Sequence, residues 1–176
     1  QAPAPVRTHR CHSRAVSGFL RHSLCASDLA FERFGAHRTG ELSLVFFTTT
    51  KAAIRGYESF VAKGTAGWKE REAAARIYFG SKTVSVSDGA GGRRPFTPDT
   101  LDLEKLRTNR DIRVVFVVGM LNEGVSIKRV SDIIIADTRL SLKNLYQLLG
   151  RALRTMPGKQ MARLWIVGSS AAADVS

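Results

Sequence analysis

The chain has 176 residues, of which 44% are hydrophobic, and its 27 basic and 15 acidic side chains give a formal net charge of +12. That length suits a single domain, and that apolar content sustains a packed core and excludes wholesale disorder. Two cysteines, Cys11 and Cys25, exclude a disulfide-rich scaffold, and no apolar run reaches the ~18 residues of a transmembrane helix.

The predicted elements begin after a basic lead. Residues 1–27 contain no acid, four arginines, three histidines and several serines, a composition like that of a mitochondrial transit peptide. The chain starts with Gln1, so residues 1–38 are expected to be a basic linker or the end of a preceding domain, and residues 39–176 the folded unit. Cys11, His12, His22 and Cys25 are spaced C-H-x9-H-x2-C, which is not a usual zinc-finger pattern, and no metal site is expected. The charge is not confined to this lead. Residues 1–38 hold six arginines against Asp28 and Glu32, a net +4, and residues 39–176 hold 21 basic and 13 acidic residues, a net +8. A folded part that is itself basic favours an anionic partner, nucleic acid before an acidic membrane surface.

Leu42–Phe47 (LSLVFF) is a short apolar run suited to a buried strand. Thr48, Thr49 and Thr50 follow and can cap a helix over 51–62. A second helix is predicted over 68–78, strongest in WKEREAAAR. A weak strand is predicted over 83–86, a loop over Asp88–Pro98 (DGAGGRRPFTP), and a short helix over 99–108 begun by Pro98 and Asp99. Ile112–Val118 (IRVVFVV) is the clearest buried strand, and Asp132–Ala136 (DIIIA) is another. Residues 141–153 read as a helix with Leu142, Leu145, Leu148, Leu149 and Leu153 on one stripe, and Arg163–Val167 (RLWIV) as a last strand. Strands alternating with helices imply right-handed crossovers and a parallel sheet with helices on both faces, so the expected class is α/β. Ligands of such sheets bind beyond the carboxyl ends of the strands. Attention therefore falls on Thr48–Thr50, Gly119–Gly124 and Asp137–Arg139.

Strand VVFVV runs into GMLNEGVSI, with Gly119 and Gly124 free to turn tightly or approach a ligand closely. Some 23 residues after Gly124 comes QLLGRALR. Arg151 and Arg154 stand at i, i+3 on one helix face with Gln147 a turn earlier, a set suited to phosphate oxygens. This pair of segments resembles motifs V and VI of superfamily 2 helicases and translocases, the DEAD/DEAH-like group. The resemblance covers roughly 41–168 and includes LVFFTTT at the place of motif IV. It implies a three-layer RecA-like domain with a central, mainly parallel sheet, the second of two such domains in a nucleic-acid-dependent ATPase.

The resemblance also implies roles. Arg151 and Arg154 would be arginine fingers on the γ-phosphate of ATP held by the first RecA-like domain. Gln147, Gly124 and Ser126 would lie on the nucleotide side, Glu123 would help hold the motif V loop, and Thr48, Thr49, Thr50, Gly119 and Met120 would lie near the backbone of DNA or RNA. Ser126 stands where the family often has Asp, and Gly119-Met120 where many members have Thr-Asp. The chain has no G-K-[ST] phosphate loop and no Asp-Glu-x-x metal box, since Gly158-Lys159-Gln160 lacks both the Gly-rich lead and the hydroxyl. Mg²⁺ is therefore expected on the missing first domain, and the chain is expected not to hydrolyse ATP alone. Two other readings stay open: a non-enzymatic nucleic-acid-binding module, and a Rossmann-type nucleotide binder, although Gly119 and Gly124 lack the G-x-G-x-x-G spacing. Arg163, outside the motifs, is expected to tolerate alanine. No membrane partner is expected, and the location is expected to be cytoplasmic or nucleoid-associated, or mitochondrial if 1–27 is a transit peptide.

Overall fold

A computed structural model describes residues 6–10, 18–36, 40–63, 67–80, 82–87, 92–119, 127–136 and 162–168. The elements, in chain order, are β1 (Val6–Arg10), α1 (Gly18–Ala36), β2 (Leu42–Phe47), α2 (Thr50–Ala62), α3 (Trp68–Ala74) and β3 (Ala75–Tyr78). They continue with β4 (Val84–Ser87), β5 (Arg93–Phe96), α4 (Leu103–Thr108), β6 (Val114–Val118), β7 (Val130–Ile135) and β8 (Arg163–Gly168). Six strands form one sheet in the order β1-β8-β7-β2-β6-β3, and every pairing in it is parallel. The β4–β5 pair is a separate antiparallel hairpin. The expected α/β class and the four expected strands are thus present.

The sheet buries both faces, which is why its central strands read as unbroken apolar runs rather than alternating ones. Side chains still divide by parity, except at the start of β7, where the register shifts. Val45, Phe47, Val114, Phe116, Ile77, Ile134 and Val167 join one core with α1 and α2. Leu42, Leu44, Phe46, Val115, Val117, Ile133, Ile135 and Leu164 join a second core with Leu106 of α4. Phe116 is fully buried, and Phe47, Tyr57 and Phe60 all lie within 6.3 Å of its ring centroid. Burying such a side chain contributes about 1.5–3 kcal/mol.

The basic lead carries folded elements: β1 pairs with β8, and α1 buries Cys25, Ala26, Leu29, Ala30 and Phe34 in the first core. Its serines and charges hide a short apolar stripe that only packing reveals. The helix predicted over 68–78 stops at Ala74, and Ala75–Tyr78 becomes the strand at the β6 edge. Helix propensity along an alanine-rich stretch yields here to the burial of Ala75, Ile77 and Tyr78. The open edge of this strand is satisfied by Asp99, whose carboxylate accepts from the Ile77 amide at 2.8 Å and whose amide donates to the Ile77 carbonyl at 2.9 Å. Residues 93–96, read as loop, form β5, with Val84 opposite Phe96. Helix α4 starts later than expected, capped by Asp102, whose carboxylate accepts from the Lys105 amide at 3.0 Å.

Candidate functional site

The carboxyl ends of β6, β2 and β7 lie side by side in the middle of the sheet. Phe47 pairs with Val118, so the next residues out, Thr48 and Gly119, occupy neighbouring positions on the rim. Across β2 the Ala136 amide donates to the Phe46 carbonyl at 2.9 Å, which brings the exit of β7 to the same place. From β2 the chain returns along α2 in the first core. The carboxyl edge of an open α/β sheet is its usual binding place.

Local chemistry shapes this rim. Thr49 is the N-cap of α2, with extended backbone (φ −132°, ψ 145°) and an Oγ1 that accepts from the Ala52 amide at 3.3 Å. Thr48 is exposed and Thr50 half-buried, so both hydroxyls are at or near the surface beside the amide end of the helix. The first turn of α2 holds no acid but does hold exposed Lys51. Gly119 has φ +60°, the left-handed region, which turns the chain sharply off the end of β6. Among the described residues nothing lies within 4 Å of where a Cβ would stand there, and a side chain at 119 would meet backbone strain.

The structure therefore brings together two of the predicted groups, Thr48–Thr50 and Gly119. Met120, Glu123, Gly124, Ser126, Asp137–Arg139, Gln147, Arg151 and Arg154 lie outside the described residues, as does the helix expected over 141–153. Among the described residues no group of three His, Cys, Asp or Glu side chains could hold a metal ion. No helix among them is long and apolar enough to cross a membrane.

Arg163 is not the neutral position expected from sequence. Its Nε and Nη2 donate to the two carboxylate oxygens of Asp132 at 2.9 and 3.3 Å. Asp132 is fully buried and also accepts from the Trp165 indole at 2.8 Å and the Ser131 hydroxyl at 3.0 Å, with Arg33 Nε at 3.2 Å. This cluster pins α1, β7 and β8 together at the opposite, amino end of the strands. A charged residue opening an apolar strand, as in DIIIA, is the signal that could have suggested a buried partner for Arg163.

No family model matches the chain, and no curated protein matches it either. Solved structures do. The C-terminal domain of the DEAD-box protein Dbp5 matches with a TM-score of 0.56 at 16% identity, covering 95% of this chain and 78% of that one. The helicase MrfA bound to DNA matches with a TM-score of 0.62 at 16% identity over 93% of this chain. Domain 2 of the DEAD-box helicase Mss116p bound to an RNA duplex gives 0.53 at 11% identity over 85% of this chain. The chain spans about a fifth of the length of the MrfA chain and half of the Mss116p chain. The chain thus shares the fold of these helicase domains.

Proposed function

We propose that the chain is the C-terminal half of a nucleic-acid-dependent ATPase motor of superfamily 2. The observation that carries this reading is the carboxyl rim of the central strands, which Thr48–Thr50 and Gly119 share in a fold that solved helicase domains also have. The hydroxyls, the helix amides and the glycine turn suit close approach of a sugar-phosphate backbone, with Met120 next in line. Such contacts fix a strand in place without reading its sequence. ATP, when bound between this domain and the first, supplies the γ-phosphoryl group that is transferred to water. Arg151 and Arg154 would hold that phosphate with their planar forks, and Gln147, Gly124 and Ser126 would line the nucleotide side. Donors of this kind match phosphate oxygens, whereas Mg²⁺ needs carboxylates that this reading leaves to the first domain. Closure of the two domains would order the fingers, and reopening would move the strand.

The test is steady-state ATPase of the full-length protein with nucleic acid saturating. Arg151→Ala and Arg154→Ala should each lower kcat by up to ~10³–10⁵, the range for an arginine finger. ATP affinity should fall much less, and Arg→Lys should rescue poorly. Arg163 is unsuitable as a control because of Asp132. Lys69, exposed at the other end of the sheet with its ammonium 5.6 Å from the Trp68 ring, replaces it. Near-normal kcat in both finger variants would refute the assignment.

A further inference from the structure

Helix α2 is charged against its own dipole. Cations disfavour the amino end of a helix and anions the carboxyl end. Yet α2 has Lys51 in its first turn and Arg55 in its second, no acid in the first turn, and no basic residue in the last. Its acid, Glu58, lies in the second half. Lys51, Arg55 and Glu58 stand at i, i+4 and i+7, so they share a face, away from buried Ala52, Ala53, Ile54, Gly56 and Phe60. Two like charges one turn apart weaken the helix further. Among the described residues no carboxylate pairs with Lys51, Arg55 or Lys82. An anion beside Lys51 and Arg55 would relieve the two cationic conflicts.

The β4–β5 hairpin continues the same face. Two strands alone are marginal, and this pair is held down by its apolar side. Phe96 meets Tyr57 of α2 edge-on at 6.0 Å and Phe79 at 6.1 Å, while Val84 and Val86 pack on the first core. Arg94 pairs with Glu58, neutralising the acid of the stripe, and its guanidinium lies 5.6 Å from the Phe96 ring centroid. Arg93 is exposed and held across the hairpin, its Nε donating to Ser85 Oγ at 3.0 Å and its Nη2 to the Ser85 carbonyl at 3.2 Å. Lys82, also exposed, leads into β4. Cations at or near the surface therefore start beside the Thr48–Thr50 rim, follow α2 and resume on a hairpin docked against Tyr57 and Glu58.

We propose that this row is a second nucleic-acid track, in which a sugar-phosphate backbone leaving the rim runs along Lys51 and Arg55 and onto Arg93 and Lys82. The proposal rests on the motor reading above. A linear row suits a linear polyanion. A lipid surface would ask for apolar side chains to insert, and the aromatic side of the hairpin instead faces the core.

The test measures binding of the 176-residue chain to a labelled oligonucleotide duplex across a salt series. The double variant Lys82→Gln/Arg93→Gln leaves α2 intact and should weaken binding about tenfold or more at low salt. It should also flatten log K against log salt by about 1.8, two phosphate contacts at ~0.9 each. Lys51→Gln, tested separately, should flatten it by about 0.9. Lys69→Gln, at the opposite end of the sheet, should change neither quantity, and circular dichroism checks each fold. If the wild-type chain binds and these variants keep its affinity and slope, the track is wrong and the motor reading stands. Absence of wild-type binding at low salt overturns both. Loss of binding to phosphatidylserine vesicles with nucleic-acid binding retained would assign the row to a membrane instead and overturn the proposal.

Discussion

The two ends of the sheet use the same residue type in opposite ways. At the amino end arginines are drawn inward and meet partners on other elements. Arg163 and Arg33 meet buried Asp132, Arg129 donates to the carbonyls of Asn109 and Ile112, and Arg113 lies 4.0 Å over the Phe34 ring with Glu70 at 3.7 Å. At the carboxyl end and along α2, Lys51, Arg55, Lys82 and Arg93 stay at or near the surface, and Arg93 is held by Ser85 rather than by a carboxylate. Buried guanidinium groups need carbonyls or carboxylates to offset lost hydration, so they lock strands together. Cations left near water lock nothing and remain available to a ligand. A basic count alone would treat these two sets as one.

The sharpest test of this division is Asp132→Ala. It removes the carboxylate that half-buried Arg163 and Arg33 share and should cost about 3 kcal/mol, the lower end of the range for a broken buried pair, in denaturant unfolding. Arg163→Ala leaves Trp165, Arg33 and Ser131 on the carboxylate and should cost less, about 2 kcal/mol. If either is neutral, the amino end is not the structural anchor.

Tyr78 sharpens the comparison, because it ends β3 on the carboxyl side yet is only 3% exposed. Burial first, and then the charge of Asp99, push its phenol up to about 12 from 10.0. Between these values the unfolded chain loses the proton and the folded chain keeps it, so stability falls as pH rises from 10 to 12. Two pH units correspond to about 2.7 kcal/mol. Arg129, lowered to about 10 by burial and then by Arg110, titrates in the opposite sense. The difference between wild type and Tyr78→Phe in urea melts across this range isolates the phenol, and parallel curves would refute its burial.

Gly119→Ala should cost about 1–2 kcal/mol through the left-handed backbone alone, read as a shift in urea midpoint. Thr49→Ala should cost about 1 kcal/mol by removing the α2 cap. Smallest of all, Lys51→Gln should stabilise the fold by about 0.3 kcal/mol, since it relieves the helix dipole while weakening nucleic-acid binding. A loss of stability there would place Lys51 with the structural cations.

Much of the fold was legible in sequence because parallel strands buried on both faces must be apolar throughout. LSLVFF, IRVVFVV, DIIIA and RLWIV stood out for that reason. Thr48–Thr50 and Gly119 were legible as strand-end residues, and their place on neighbouring strands follows from the Phe47–Val118 pairing. Other features depend on long-range contacts that no local window contains. The lead became β1 and α1 because β8 and the first core were there to receive them. Ala75–Tyr78 became a strand because β6 offered an edge, against the helical preference of its neighbours. RRPF became a strand because Phe96 could dock on Tyr57 and Phe79. The sequence by itself determined the α/β class, the central strands and the identity of the rim residues, since apolar period and turn chemistry are local. Tertiary structure alone decided which arginines are anchors and which stay at the surface, because a guanidinium is placed by the partner it meets, and that partner lies far away in the chain.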